Sequence, residues 1–274
     1  MRLVTFRDGD NTRVGELHGE RIRVLSAPTM IAWLAGEGRL QTRVEHALSG
    51  VELLAPIPEP PSVRDFFAFE EHVKIGFSLR GAEVPEAWYE QPTFYFSNPA
   101  SIVGPNAPVR KPPATQMLDF ELEIAAVIGA DQEIAAFTLL NDWSARDLQA
   151  KEMTVGLGPA KGKDFASSLG PWLVTPDELP VADGRLDVEA TAAINGAELT
   201  RTWAGAQQFP WAELVAHAAR DTRLRPGDVL GSGTLNRGCL LELGPLEGDR
   251  FLQPGDTVTL EAGPLGRLEN HVVA

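Results

Sequence analysis

The chain of 274 residues contains a single cysteine, Cys239, so no disulfide can form within it. An absence of disulfides is usual in reducing compartments, and we therefore expect a cytoplasmic protein. No histidine neighbours Cys239 in the sequence. We interpret its side chain as a small buried hydrophobe rather than a nucleophile.

Long apolar runs and basic clusters are missing as well. No stretch approaches the roughly 20 apolar residues that a membrane-spanning helix needs, and the amino terminus lacks the apolar core of a signal peptide. Lysine and arginine number 24 against 38 aspartates and glutamates, for a formal charge of −14. This balance argues against nucleic acid or a membrane as partner. A small anionic substrate stays compatible with it, because a few local cations can reverse the field inside a pocket.

Prolines divide the chain once. Four of the six residues from Pro56 to Pro61 are proline, which excludes a helix or a central strand there. We predict a small N-terminal domain over 1–55, a connector over 56–61 and a larger domain over 62–274.

Helices are expected to be few. The turn residues Asp8-Gly9-Asp10-Asn11 indicate hairpin-like strands over 1–25, and one or two helices are predicted over 29–49. In the larger domain, short strands dominate, and helices are predicted only around 70–79, 144–153 and 211–221. This pattern indicates a β-rich α+β fold.

The segment Leu118-Asp119-Phe120-Glu121-Leu122-Glu123-Ile124-Ala125 is unusually acidic for a strand. The alternation predicts that Asp119, Glu121 and Glu123 share one face. Side chains two apart on a strand lie about 6–7 Å from each other, and each like-charge pair costs roughly 2–3 kcal/mol at an effective dielectric near 20. A divalent cation would offset this repulsion. A strand with one solvated face is the alternative.

A second polar segment follows a short strand-like run. Asn141-Asp142-Trp143-Ser144 precedes a predicted helix in which Arg146 and Gln149 share one face. Asp142 is either a further cation ligand or an ordinary turn or cap residue. The glycine-rich loop before Lys163 lacks the spacing of a P-loop, which argues against a phosphate site.

Several motifs follow one another in an order typical of one enzyme family. They are Asp65-Phe66-Phe67-Ala68-Phe69-Glu70-Glu71-His72, Asp119-Phe120-Glu121-Leu122-Glu123, Asn141 to Gln149, Gly162-Lys163-Asp164-Phe165, Gly231-Ser232-Gly233-Thr234, Leu240-Leu241-Glu242-Leu243 and Pro264 to Val272. Over about residues 60–274 the chain closely resembles the fumarylacetoacetate hydrolase family. The resemblance implies a mixed β-sandwich roll with a small N-terminal α/β unit, a catalytic domain over 62–274 and a homodimer.

The resemblance also implies a reaction, a cofactor and a set of site residues. The reaction is the metal-dependent hydrolysis of a carbon–carbon bond in an acylpyruvate-like or other β-diketo acid, an anionic 2-oxo acid substrate. Oxygen donors favour Mg²⁺, with Mn²⁺ and Ca²⁺ as alternatives. The implied metal ligands are Glu121, Glu123, Asp142 and Asp65, although Asp65 is alternatively a turn or cap residue. The implied catalytic residues are His72, Glu242, Lys163, Arg146 and Gln149, and the implied substrate-binding residues are Tyr95, Thr234, Phe67 and Arg80.

The chain departs from the founding hydrolases at an aromatic position. Phe67 stands two residues after Asp65, where those enzymes carry a substrate-contacting tyrosine, and this argues against fumarylacetoacetate as the substrate. Residues 74–90, which include Arg80, are predicted to form a lid. An oxaloacetate decarboxylase, an isomerase or hydratase of 2-oxo dienoates, and a non-catalytic metal-binding protein remain alternatives.

Overall fold

The computed structural model describes all residues from 1 to 274. Its first hairpin follows from turn chemistry, because Gly9 adopts a φ of 60° and lets Asp8 pair with Asn11. The N-terminal unit contains β1 (Arg2–Asp8), β2 (Asn11–His18), β3 (Arg21–Leu25), α1 (Met30–Leu34), β4 (Gln41–Ala47) and β5 (Glu52–Leu53). The strands predicted over 1–25 are therefore present.

The prediction of one or two helices over 29–49 is confirmed for one α-helix and is wrong for residues 41–47. Only α1 forms there, and the hydroxyl of Thr29 caps it by accepting a hydrogen bond from the N–H of Ala32 at 3.1 Å. Residues 41–47 form a strand because they pair with β3, where Glu45 bonds to Arg21 and Arg23. Pairing with a neighbouring strand thus overrides the local pattern.

The rest of the chain consists of short strands with few helices. The strands are β6 (Val63–Phe66), β7 (Phe94–Ser97), β8 (Ile102–Val103), β9 (Pro108–Arg110), β10 (Leu118–Asp119), β11 (Leu122–Ile128), β12 (Ile134–Asp142), β13 (Ser144–Ala145), β14 (Ser167–Val174), β15 (Val181–Ala182), β16 (Arg185–Leu186), β17 (Glu189–Ile194), β18 (Ala197–Trp203), β19 (Val229–Gly231), β20 (Thr257–Glu261) and β21 (Arg267–Val273). The helices are α2 (Glu70–Ser78), α3 (Glu86–Glu90), α4 (Arg146–Met153), α5 (Trp211–Ala219) and α6 (Leu240–Leu243). Helices α2, α4 and α5 confirm the three predicted in this part, and the β-rich α+β class is confirmed.

Two sheets build the core. The larger has twelve strands in the order β4-β3-β2-β1-β14-β12-β11-β19-β6-β7, with β5 on β1 and β8 on β14. The smaller has five strands in the order β18-β17-β20-β21-β9. Strands of the N-terminal unit and of the larger domain therefore share one sheet, while the predicted division into domains remains a prediction.

Strand β11 lies inside the larger sheet and is buried along its whole length. Ile124 and Ala126 belong to the apolar cluster that includes residues of the five-stranded sheet, whereas Ala125 and Val127 belong to a cluster that includes α1. Alternate side chains thus point to opposite faces, both of which are covered. Glu123 lies on the same face as Ala125, where water is excluded.

Candidate metal centre and active site

Four carboxylates meet at one end of the larger sheet. One oxygen from each of Asp65, Glu121, Glu123 and Asp142 lies within 4.8 Å of the other three. None of the four residues is more than 4% exposed. We call this group the acidic cluster. It is far too buried for the solvated-face alternative, because water cannot screen its repulsion.

Strand register brings the cluster together. Strands β11 and β12 pair antiparallel, and the N–H of Asp142 donates to the carbonyl of Glu121 at 3.3 Å. Strand β19 pairs with β11 and β6, so Gly231 stands between Ala125 and Asp65. A Cβ on Gly231 would lie only 2.3 Å from Asp65 Oδ1. Glycine at 231 therefore makes the room through which Asp65 reaches the cluster.

Two buried cations contact Glu121. Lys163 Nζ donates to Glu121 Oε2 and to Asp142 Oδ2, the latter at 2.7 Å, and Arg146 Nη1 lies 2.7 Å from Glu121 Oε1. Burial acts against ionisation, but Lys163 and Arg146 outweigh it and hold the pKa of Glu121 well below its usual range. Glu121 is therefore a carboxylate near neutral pH.

Asp65 and Glu123 have no cation in contact with them. Burial, reinforced by Asp142, raises the pKa of Asp65 to about 8. Burial, reinforced by Asp65, raises the pKa of Glu123 well above its usual range. Glu123 Oε2 and Asp142 Oδ1 are buried without any hydrogen-bond partner. Unpaired carboxylate oxygens around a space cleared by a glycine fit a hard divalent cation, which would supply the missing positive charge.

Asp119 does not join the acidic cluster, contrary to the single face predicted for the acidic segment. Strand β10 ends at Asp119 and β11 begins at Leu122, so the alternation is broken between them. Asp119 accepts instead from Arg146 Nε at 2.8 Å and from two backbone N–H groups at the start of α6. It holds structure in place and presents no free oxygen.

A histidine and a carboxylate form a second buried pair. Helix α2 carries His72, and its Nδ1 lies 3.3 Å from Oε1 of Glu242 in α6. The Phe67 ring stands edge-on to the imidazole, with 5.4 Å between centroids. A carboxylate at Nδ1 favours the tautomer that leaves Nε2 as a proton acceptor.

The family is shown by comparison with known proteins. Residues 62–273 match the family model described as fumarylacetoacetate (FAA) hydrolase, C-terminal. The chain belongs to the fumarylacetoacetate hydrolase family. Residues 1–56 match a second model, described as Rv2993c-like, N-terminal. Members of the hydrolase family are enzymes that act on small organic acids and generally depend on a divalent metal.

Individual relatives of this fumarylacetoacetate hydrolase family member differ in activity. A fumarylacetoacetase of Arabidopsis thaliana is 31% identical over 86% of this chain and 72% of that protein. The mitochondrial oxaloacetate tautomerase fahd2 of Xenopus laevis is 31% identical over 100% of this chain and 90% of that protein. A solved 5-carboxymethyl-2-hydroxymuconate delta-isomerase of Mycobacterium smegmatis has 27% identity and a TM-score of 0.76, covering 100% of this chain and 99% of that one.

The residues with a predicted substrate role fall at different depths in this family member. Tyr95 donates its hydroxyl hydrogen to Asp142 Oδ2, and Thr234 Oγ1 lies 3.5 Å from Glu123 Oε1. Arg80 is exposed, with its guanidinium 4.5 Å from the ring centre of Phe77 and its Nε bonded to the Gly76 carbonyl. Tyr95 and Thr234 thus touch the acidic cluster, and Arg80 does not.

Gln149 and Cys239 complete the surroundings. Gln149 Oε1 accepts from Arg146 Nη1 at 3.1 Å, which ties it to the cation beside Glu121. Cys239 is fully buried, as the sequence predicts, but its Sγ lies 3.9 Å from His72 Nδ1. Sequence reasoning missed that contact because 167 positions separate the two residues.

No helix of the structure has both the length and the apolar character needed to cross a membrane.

Proposed function

We propose that the chain is a metal-dependent hydrolase that cleaves a carbon–carbon bond in acylpyruvate-like or other β-diketo acids. The observation that carries the proposal is the buried His72–Glu242 pair, whose imidazole is among the groups that lower the pKa of Glu121 in the acidic cluster. A protein that only stored a metal would have no use for an oriented base. The carboxylate oxygens would bind the metal, and the imidazole would act as the base in hydrolysis.

The ligands of the cation would be Glu121, Glu123 and Asp142, with Asp65 as the fourth. Oxygen ligands suit Mg²⁺, and Mn²⁺ and Ca²⁺ are the alternatives. When bound, a divalent cation polarises the carbonyl groups of a 2-oxo or diketo acid. It would also remove the need for Asp65 and Glu123 to retain protons.

His72 acts as the general base. Glu242 holds Nδ1, and Nε2 takes a proton from water as the water oxygen attacks the carbonyl carbon remote from the acid group. The carbon–carbon bond then breaks, its electron pair leaves as the enolate of the 2-oxo acid, and that enolate takes back a proton. The products are a carboxylic acid and pyruvate or a related 2-oxo acid.

The remaining polar residues stabilise charge and orient the substrate. Lys163, the cation between Glu121 and Asp142, faces the negative charge that develops on oxygen, and Arg146 and Gln149 support it. Thr234 and Tyr95 bind the substrate from the edge of the acidic cluster. Phe67 packs against the substrate. Arg80 would reach an anionic group of the substrate only if residues 74–90 closed as a lid.

A second candidate is an isomerase, tautomerase or decarboxylase of a 2-oxo acid. The observation in its favour is the likeness over the full chain to a tautomerase of 31% identity and to an isomerase of 27% identity. Such reactions share the enolate but need no attacking water. The base would then move a proton between carbon and oxygen of the substrate.

One set of assays separates the two candidates. Purified protein is tested with Mg²⁺ or Mn²⁺ on acylpyruvates, fumarylpyruvate, oxaloacetate and a 2-oxo dienoate, with pyruvate, carbon dioxide and tautomer ratio as readouts. We expect His72→Ala to lower acylpyruvate hydrolysis about 100-fold or more, the range for losing a general base. His18→Ala, which changes a half-exposed histidine, is the matched control.

Two results would contradict the hydrolase assignment. One is hydrolysis by His72→Ala at the parent rate. The other is negligible hydrolysis in both proteins together with fast conversion of oxaloacetate or the dienoate, which would favour the second candidate. Size-exclusion chromatography with light scattering tests the accompanying proposal of a homodimer.

A further inference from the structure

Cys239 adds a third donor to the His72–Glu242 pair. Its Sγ lies 3.9 Å from His72 Nδ1 and 3.8 Å from Glu242 Oε2, while Nδ1 lies 3.3 Å from Glu242 Oε1. One donor atom from each residue is within 4.8 Å of the other two. The set is nitrogen, sulfur and oxygen, whereas the acidic cluster offers only oxygen. Its chemistry is therefore suited to a different cation.

The fold holds these side chains in place. Cys239 precedes α6 and Glu242 follows three residues later, which brings both to one side of the helix. The first two backbone N–H groups of α6 donate to buried Asp119 at 2.8 and 3.0 Å and anchor it. Helix α2 then presents His72, which is 7% exposed.

The polar protein group near Glu242 Oε1 is His72 Nδ1, 3.3 Å away and not aligned for a hydrogen bond. The Glu242 side chain is fully buried, with 0% exposure, and Oε1 has no hydrogen-bond partner. Buried carboxylate oxygens are ordinarily paired, so an unpaired one beside two further metal-binding atoms points to a ligand. This observation is independent of the cysteine.

The spacing suits a tetrahedral ion. Zinc binds sulfur at about 2.3 Å and nitrogen or oxygen at about 2.0–2.2 Å, which sets tetrahedral ligand atoms roughly 3.3–3.6 Å apart. The separations of 3.3, 3.8 and 3.9 Å need only small side-chain shifts to reach that range. A fourth position would be left for water.

We propose that His72 Nδ1, Cys239 Sγ and a Glu242 oxygen bind a thiophilic divalent cation such as Zn²⁺, apart from the cation of the acidic cluster. The thiol proton passes to solvent as the sulfur–metal bond forms. The ion takes the nitrogen through which Glu242 orients the base, and hydrolysis stops. The inhibition rests on the proposed function, whereas the binding does not.

The two sites differ in donor softness and therefore select different ions. Thiolate and imidazole select ions such as Zn²⁺ and Cd²⁺, and carboxylates suit Mg²⁺ and Mn²⁺. Without an ion, burial raises the pKa of the Cys239 thiol well above its usual range, so the thiol stays protonated and unreactive. Cys239 thus acts as a ligand for a soft ion and not as a nucleophile.

Titration with Cd²⁺ tests the site. The full chain, saturated with Mg²⁺, is titrated while the ultraviolet absorption of the cadmium–thiolate bond is recorded. We expect a band that saturates at one Cd²⁺ per chain, since the chain has one cysteine. Cys239→Ser should lose the band. Glu123→Ala, which disables the acidic cluster, should keep it and is the matched control.

Activity is then compared with and without Cd²⁺, each protein against its own rate. The parent protein should lose activity over the range in which the band grows, and Cys239→Ser should need at least about tenfold more Cd²⁺, a difference of about 1.4 kcal/mol. No band in the folded parent protein at saturating Cd²⁺ would overturn the site. Loss of the band in Glu123→Ala would also overturn it, by showing that the thiolate-bound ion needs the acidic cluster and is not a separate ion. A band together with unimpaired hydrolysis by His72→Ala would keep the site and reject the proposed function.

Discussion

Asp119 and Glu123 belong to one acidic segment and are both completely buried, yet their surroundings are opposite. Asp119 is saturated by protein donors, namely Arg146 and the backbone N–H groups of Phe120, Leu240 and Leu241. Glu123 has one long contact with Thr234 at 3.5 Å, and its second oxygen has none. The fold therefore surrounds one carboxylate with protein donors and leaves one oxygen of the other without a hydrogen-bond partner.

Asp119 and Glu123 lie within five residues of sequence, yet we expect the first to contribute to stability and the second to function. Removing Asp119 would leave Arg146 and a helix start without their acceptor. Removing Glu123 would break only the long hydrogen bond from the Thr234 hydroxyl. We expect the first change to damage folding and the second to damage only metal binding and catalysis.

Glu123→Ala should give the largest effect. Turnover should fall about 1,000-fold or more, or ~4 kcal/mol, because the metal contributes several kcal/mol of charge stabilisation. Mg²⁺ affinity measured by calorimetry should fall as well, while circular dichroism and the melting temperature should not decline. Full activity of the parent protein after treatment with a chelator would contradict this prediction.

Asp119→Ala should reverse the pattern. Breaking a buried ion pair by removing one partner costs about 3–5 kcal/mol of stability, which urea unfolding measures directly. Folded molecules should still bind Mg²⁺, since the acidic cluster is untouched. A variant of normal stability that had lost Mg²⁺ binding would place Asp119 among the ligands and erase the contrast.

Phe67→Tyr tests the substrate side of the site. Phe67 lies against His72, where a phenol could reach the far end of a long substrate. The parent protein should prefer short acylpyruvates or oxaloacetate, and the variant should shift kcat/KM toward fumarylacetoacetate by about 1–3 kcal/mol. Phe67→Leu is the control for packing. Equal specificity for long and short substrates in the parent would count against the argument.

The pH dependence of Mg²⁺ affinity should be the smallest effect. It concerns the acidic cluster, to which Glu123 belongs and Asp119 does not. The pKa of Asp65 is raised to about 8, so near neutral pH the metal-free site holds a proton that a cation must displace. Mg²⁺ affinity should therefore weaken as pH falls below about 8, by up to roughly tenfold per pH unit for each proton. Calorimetry in buffers of different ionisation enthalpy counts the protons, and Asp65→Asn should release fewer. A pH-independent affinity would refute the prediction.

Much of the candidate site could be predicted because its carboxylates follow a local pattern. Extended backbone places residues two apart on one face, and Glu121, which directly precedes β11, does converge with Glu123. Asp142 joins them through the antiparallel pairing of β11 and β12, which strand order in the sequence suggests. The same alternation could not exclude Asp119, because nothing in it marks the break after β10.

Contacts between residues distant in the sequence could not be predicted from local patterns. Cys239 contacts His72 although 167 positions separate them. Strand β4 forms where a helix is predicted because it pairs with β3. The exposed position of Arg80 likewise depends on how α2 ends and which way the following turn runs. Periodicity reports the faces of an element, and it carries no information on what packs against them.

The pairing of β1 with β14 has a consequence for how the chain is made. Residues 1 and 175 hydrogen bond to each other across 174 positions, so the first strand leaves the ribosome long before its partner. Until then one edge of the N-terminal strands is open to wrong pairing, and closing so large a loop makes folding slow. During synthesis, the part of β1 that pairs with β14 stays without that partner until residue 174 has been made.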